Sequence, residues 1–172
     1  MNITQCQVKD ERIIVVSEEL NEATQALDEN SLKSYEPPLP SFTEAFGKFK
    51  SHLADLCEIR QADAKRLTVD RIDIENGDSH MSIIIHGACS VSKSKGGFSL
   101  KSPKYTYLIG QESAKDQGDK KNVMPKACYD DLIVLISECK KYISGERSQN
   151  ILPFDKPEVD ETDGEELNVN MG

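Results

Sequence analysis

Tryptophan is absent from the 172 residues and aromatic side chains of any kind make up 6%. A core must therefore be closed by aliphatic side chains and a few phenylalanines and tyrosines. No apolar run approaches the roughly 20 residues that span a bilayer, which argues against a transmembrane helix. Met1-Asn2-Ile3-Thr4-Gln5-Cys6 has neither the basic start nor the apolar stretch of a secretory signal. A cytoplasmic location is expected.

Paired cysteines are also lacking. Cys6, Cys57, Cys89, Cys128 and Cys139 are odd in number and widely spread, with no Cys-x-x-Cys. A disulfide framework or a zinc ribbon needs pairs at short spacing, so buried free thiols in a reducing compartment are the expectation. Histidine is scarce as well, with three in the chain, and no Ser/His/Asp or Cys/His arrangement can be drawn from them. His86-x-x-Cys89 falls on a strand, where positions i and i+3 face opposite ways, and no second metal pair accompanies it. Lys93-Ser94-Lys95-Gly96-Gly97 lacks the order of a phosphate loop and leads into a strand, so it reads as a hairpin turn. Asp70 with Asp73, and Asp130 with Asp131, are acid pairs without a partner base; the second pair suits the start of a helix. The expectation is a protein that is not an enzyme and holds no cofactor or metal.

Charge is present but uneven. The net charge is −9, and the segment from Asp155 to Gly172 accounts for −6 of it, leaving −3 for residues 1 to 154. A nearly balanced body with an acidic tail lacks the concentrated basic surface of a simple electrostatic nucleic-acid binder.

Periodicity supplies the elements. Residues 3 to 8 and 12 to 17 are rich in Ile, Val and Thr around Lys9-Asp10-Glu11, which predicts an N-terminal hairpin. Residues 18 to 34 are open between a weak helix through Leu20, Ala23 and Leu27 and an edge strand over Glu22 to Leu27. Three prolines in Tyr35-Glu36-Pro37-Pro38-Leu39-Pro40 impose an extended path. Ser41-x-x-Glu44 has capping-box form, and Phe42, Phe46, Phe49, Leu53, Leu56 and Cys57 follow at helical spacing, with His52 at the edge of the stripe.

Leu67 to Ile74 reads as a strand whose apolar phase slips near Asp70, as a bulge would make it. Asn76-Gly77 is a turn, and Met81 to Val91, with Ile83, Ile84 and Ile85, is a central strand. Ser92 to Gly97 turns into a third strand, Phe98 to Ile109, interrupted at Pro103. Gly110 to Val123 is polar and expected to be mobile. A final helix opens near Pro125, carries Cys128, Leu132, Leu135, Ile136, Cys139 and Ile143 on one face, and ends at Gly145. The architecture predicted is α+β: an antiparallel sheet, made of an N-terminal hairpin plus a three-stranded meander, is packed by two amphipathic helices on one face. Residues 1–148 form the domain, and residues 149–172 are a flexible peptide and a disordered acidic tail.

Gln149-Asn150-Ile151-Leu152-Pro153-Phe154 stands between helix and tail. It resembles the peptide that bacterial replication and repair proteins insert into the sliding clamp, in which a glutamine amide sets register and two apolar anchors enter a groove. Gln149, Leu152 and Phe154 are the candidate partner-binding residues. Asn150 replaces the usual second-position leucine, and Pro153 lies between the anchors. The competing account folds Ile151, Leu152 and Phe154 back onto the domain.

Several stretches together resemble a family of small early-region proteins of phages and prophages. They are Tyr35-Glu36-Pro37-Pro38-Leu39-Pro40-Ser41-Phe42, Leu67-Thr68-Val69-Asp70-Arg71-Ile72, Ser102-Pro103 and Tyr142-Ile143-Ser144-Gly145-Glu146-Arg147-Ser148-Gln149. The last matches a Tyr-x-x-Gly-Lys-Arg-x-Gln pattern, with Glu146 in place of its lysine. The resemblance implies a product encoded among replication and recombination genes and transfers no activity.

The function expected is a non-enzymatic accessory protein of phage DNA replication or recombination, acting through contacts with a protein such as a sliding clamp. The alternative is a phage inhibitor of a host defence nuclease or signalling enzyme. A third reading is single-stranded DNA binding on stacking platforms, for which Phe98, Tyr105 and Tyr107 are the candidates.

Overall fold

Alternating apolar residues bring the first two strands together. The computed structural model describes residues 1–90, 97–110 and 122–148. In it β1 (Asn2–Lys9) and β2 (Arg12–Leu20) pair antiparallel, with Lys9 opposite Arg12 across a two-residue turn. Both turn residues, Asp10 and Glu11, take positive φ (51° and 62°), the handedness that suits a tight hairpin.

The ambiguous segment resolves as neither a helix nor an edge strand over Glu22 to Leu27. Asn21 to Ala26 form a turn in which the Asn21 side-chain oxygen accepts from the N–H groups of Ala23 and Thr24. The edge strand comes later, as β3 (Leu27–Ser34), paired along β2. Its residues Leu-Asp-Glu-Asn-Ser-Leu-Lys-Ser are almost all exposed, so nothing in their pattern reports burial on one face.

The first helix is in two pieces, α1 (Pro40–Gly47) and α2 (Phe49–Leu56), followed by the single turn α3 (Gln61–Ala64). Gly47 is a weak helix former at the junction, yet Phe42, Phe46, Phe49, Leu53 and Leu56 stay on one buried face across it. The capping box does not form. Pro40 occupies the start of α1, and Leu39 precedes it with no side-chain cap. Ser41 is thereby already inside the helix, and its hydroxyl goes to Glu138 instead.

The strands β4 (Leu67–Asn76) and β5 (His80–Ser90) form the long central pair. Their register shifts between Val69 and Arg71, at the slip the sequence pattern shows near Asp70. The third meander strand splits into β6 (Gly97–Lys101) and β7 (Tyr105–Leu108), both paired with β5. Pro103 has no N–H for the ladder. Ser102 bridges the break: its N–H donates to Ile85 O at 2.9 Å, and its Oγ accepts from Ile85 N at 3.0 Å.

Hairpin and meander join through β1 and β4 into one seven-stranded antiparallel sheet, ordered β3-β2-β1-β4-β5-β6 with β7 also on β5. The last helix, α4 (Lys126–Ile143), packs with α1 and α2 over one sheet face. Ile3, Cys6, Val15, Phe42, Phe49, Leu53, Ile72, Ile85, Leu132, Cys139 and Tyr142 meet between the layers, each buried. A fully buried Leu, Ile or Phe contributes about 1.5–3 kcal/mol, so this layer contact is the main source of stability. No helix among the described residues is long and apolar enough to cross a membrane.

Candidate functional site

The proline segment after β3 and the end of α4, about a hundred residues apart in sequence, close on each other. Gly145, at φ 96°, ends the helix in a Schellman arrangement: Glu146 N–H donates to Lys141 O and Gly145 N–H to Tyr142 O. The reversal sends Arg147 and Ser148 back along the proline segment. Tyr142 donates its hydroxyl to Glu36 O at 2.7 Å. Arg147 lies 4.7 Å over the Tyr142 ring and is ion-paired to Glu36. Pro38 and Arg147 form an isolated antiparallel bridge. Ser148 then donates from its N–H to Pro37 O (3.1 Å) and from its Oγ to Pro38 O (2.7 Å). The carbonyls of Pro37 and Pro38, outside the named strands, thus find their donors in Ser148.

This clasp borders a groove of about 600 Å³ between α1, the β1–β2 hairpin and β4. Phe42 and Phe46, stacked with ring centroids 6.4 Å apart, form its floor with Ile13. Val8, Val69 and the two prolines line its sides, and Tyr35, 71% exposed, stands at its edge. Glu11 is the charged residue on the lining. Such a surface suits an extended apolar peptide, with few polar groups to satisfy. Sequence reasoning placed Phe42 and Phe46 in the core only. Pro37 and Pro38 line the groove together with residues from α1, the hairpin and β4, a combination that no single stretch of sequence displays.

The candidate partner-binding residues Gln149, Leu152 and Phe154, and the acidic tail, lie outside the described residues. The chain reaches them from Ser148, at the groove's rim.

The candidate stacking residues are placed on the helix-covered side of the sheet. Tyr107 is buried and stacks on Tyr129 at 4.1 Å and 15°. Tyr105 donates its hydroxyl to Leu56 O at 3.0 Å. Burial, followed by the nearby Cys57 and Glu58, raises the Tyr105 phenol's pKa. Phe98 is 52% exposed and sits apart from them, in a surface hollow with Cys57, Ile59, Cys89 and Leu100. The structure does not bring the three rings together as one exposed platform.

The uncovered sheet face carries a mainly polar row. Register places Lys33, Ile14, Gln7, Arg71, His86 and Lys101 in one row across six strands. At its centre His86 Nε2 lies 2.8 Å from Asp73 Oδ2 and 3.0 Å from an Arg71 terminal nitrogen. A carboxylate only accepts, so Nε2–H donates to Asp73 and the guanidinium is left beside the ring. Arg71 Nε is 3.1 Å from Asp73 Oδ1 yet outside hydrogen-bond geometry. Cys89 faces the other way, into the buried side, so His86 and Cys89 do not converge.

His52 resolves as a core-edge residue. Its Nε2 meets Asp131 Oδ2 at 2.8 Å, and Lys48 reaches the same carboxylate at 3.0 Å, tying α2 and its lead-in to α4. Among the described residues no group of three or more His, Cys, Asp and Glu side chains is arranged to hold a metal. Comparison of the chain with protein-family models, with curated proteins and with solved structures gives no match.

Proposed function

We propose that this chain is a non-enzymatic accessory protein of phage DNA replication or recombination, working in the host cytoplasm through protein contacts made by Gln149, Leu152 and Phe154. The observation that supports this reading is the clasp. Ser148 is fixed to Pro37 and Pro38, so the segment that follows has a defined starting point on the body. A short apolar motif on a fixed origin loses less entropy when a partner captures it than one at the end of a long free chain. The resemblance to phage early-region proteins supplies the setting, and the glutamine with two apolar anchors supplies the partner class, a sliding clamp.

The test is capture of purified bacterial sliding clamp by the full chain, compared with Leu152→Ala/Phe154→Ala. Binding by the parent and loss in the double variant is the expected result. Equal capture by both, or capture by neither, overturns the reading.

A further inference from the structure

We propose that the groove beside the clasp is the docking site of the chain's own segment Gln149 to Phe154, which rests there until a partner takes it. The inference concerns the same segment as the proposed function and adds how its availability is controlled.

Three observations carry it. The first is origin. Ser148 is bonded to the carbonyls of Pro37 and Pro38, and those two prolines line the groove. The segment therefore begins at the rim. The second is reach: six extended residues span about 20 Å, enough to carry Phe154 along the side of an eight-residue helix such as α1, about 12 Å long. The third is chemistry. Ile151, Leu152 and Phe154 are apolar, and the groove offers them Phe42, Phe46, Ile13 and Val69. At about 600 Å³ it lies within the range of sites that enclose a few side chains.

Affinity need not be high. A tether of a few residues gives an effective concentration on the order of millimolar, so contacts too weak to hold a free peptide suffice in cis. The consequence is exclusion. Leu152 and Phe154 cannot fill the groove and a partner's pocket together, and a partner must compete with the body for them.

The chain has no tryptophan, so Phe154→Trp gives a single reporter in the full-length protein. The expected result is blue-shifted emission and acrylamide quenching several-fold weaker than that of free N-acetyltryptophanamide, unchanged on hundredfold dilution. Gly47 lines the groove, and a Cβ built on it meets nothing within 4 Å. Gly47→Arg in the reporter chain fills the site, and quenching is expected to rise to the free level. Ile151→Asp/Leu152→Asp leaves the body untouched and is expected to do the same, which keeps the test decisive if Gly47→Arg fails to fold.

Quenching at the free level in the Phe154→Trp chain itself overturns the proposal. So does shielding that disappears on dilution, which assigns the groove to the segment of a second copy, and so does shielding that survives the Asp pair. Failure of clamp capture alone refutes the proposed function and leaves the fluorescence result standing.

Discussion

The Ser41 hydroxyl donates a 2.6 Å hydrogen bond to Oε2 of Glu138, joining α1 to α4. Glu138 is 6% exposed, on the packed face of its helix, and its other oxygen takes Lys141 Nζ at 2.6 Å. A carboxylate in such a place needs both donors, because each bond it loses leaves charge without compensation. Ser41→Ala is expected to lower unfolding stability by about 1.5–3 kcal/mol, the range for a hydrogen bond to a charged group. Urea unfolding reads this directly. A change no larger than that of an exposed control such as Ser137→Ala means the bond contributes nothing.

The same carboxylate sets an acid limit. The bond from Lys141, then that from Ser41, holds the Glu138 carboxyl below its ordinary pKa against the opposing effect of burial. At Asp131 burial pushes upward, but the hydrogen bonds from His52 and Lys48 outweigh it and the net direction is again down. A group whose folded pKa lies below its unfolded value stabilises the fold at pH above the unfolded value, and loses that contribution as pH falls through the folded one. The melting temperature is expected to hold steady from neutrality to about pH 5 and to drop below about pH 4, where free carboxylates take up protons. Glu138→Gln should lower the plateau and flatten the acid limb. A parallel drop in parent and variant assigns acid sensitivity to other groups.

Much of the fold is legible in the residues, and the exceptions have physical causes. The stripe Cys128, Leu132, Leu135, Cys139 is read correctly because a helix with one buried face has a period of its own. The strand bulge is readable for the same reason, since a slipped phase at Asp70 leaves one explanation. β3 leaves little trace because its residues are mostly exposed and Leu32 alone among its apolar residues packs partly against the core. Ser41 misleads because the capping box is a local rule, and with Pro40 as the first helical residue the N-cap falls two residues earlier, at Leu39. Tyr142 and Glu138 are missed on α4 because both are buried through tertiary partners, Glu36 and Ser41, about a hundred residues away in sequence. The groove is invisible for a related reason: it exists between Pro37, Val69 and Phe46, which only the fold assembles.

Gly87 in β5 is crowded both by the neighbouring strand β4 and by Leu53 of α2. A Cβ there would lie 2.1 Å from Thr68 O and 2.8 Å from Leu53 Cδ2. The leucine can move; the Thr68 carbonyl, paired beside the bulge in β4, cannot do so without shifting the strand. Gly87→Ala is expected to destabilise by about 1–3 kcal/mol, the usual cost of overpacking. Gly47→Ala meets open space and is expected to be neutral or stabilising by up to about 1 kcal/mol through helix propensity. Matched denaturation curves for the pair test the packing account, and equal effects at the two positions contradict it.

Thiol reactivity reports on the core without perturbing it. Cys6, Cys128 and Cys139 are fully buried. The hydrogen bond to Cys139, together with burial, drives the Cys6 thiol well above its ordinary pKa. Burial, with a smaller push from Asp131, takes Cys128 to about 12. The thiolate is the reactive form, so at pH 8 a thiol of that pKa is ionised to only about one part in ten thousand. Cys57 is the most open of the five, although burial raises it as well, and Cys89 lines the same hollow. Titration of the native protein with a chromogenic disulfide is expected to show at most two reacting thiols, slowly, and all five in denaturant. Cys57→Ser should remove the faster of the two phases. Rapid reaction of three or more thiols under native conditions means that α4 does not seal Cys6 and Cys139 against β1, and the layered core described above is wrong at its centre.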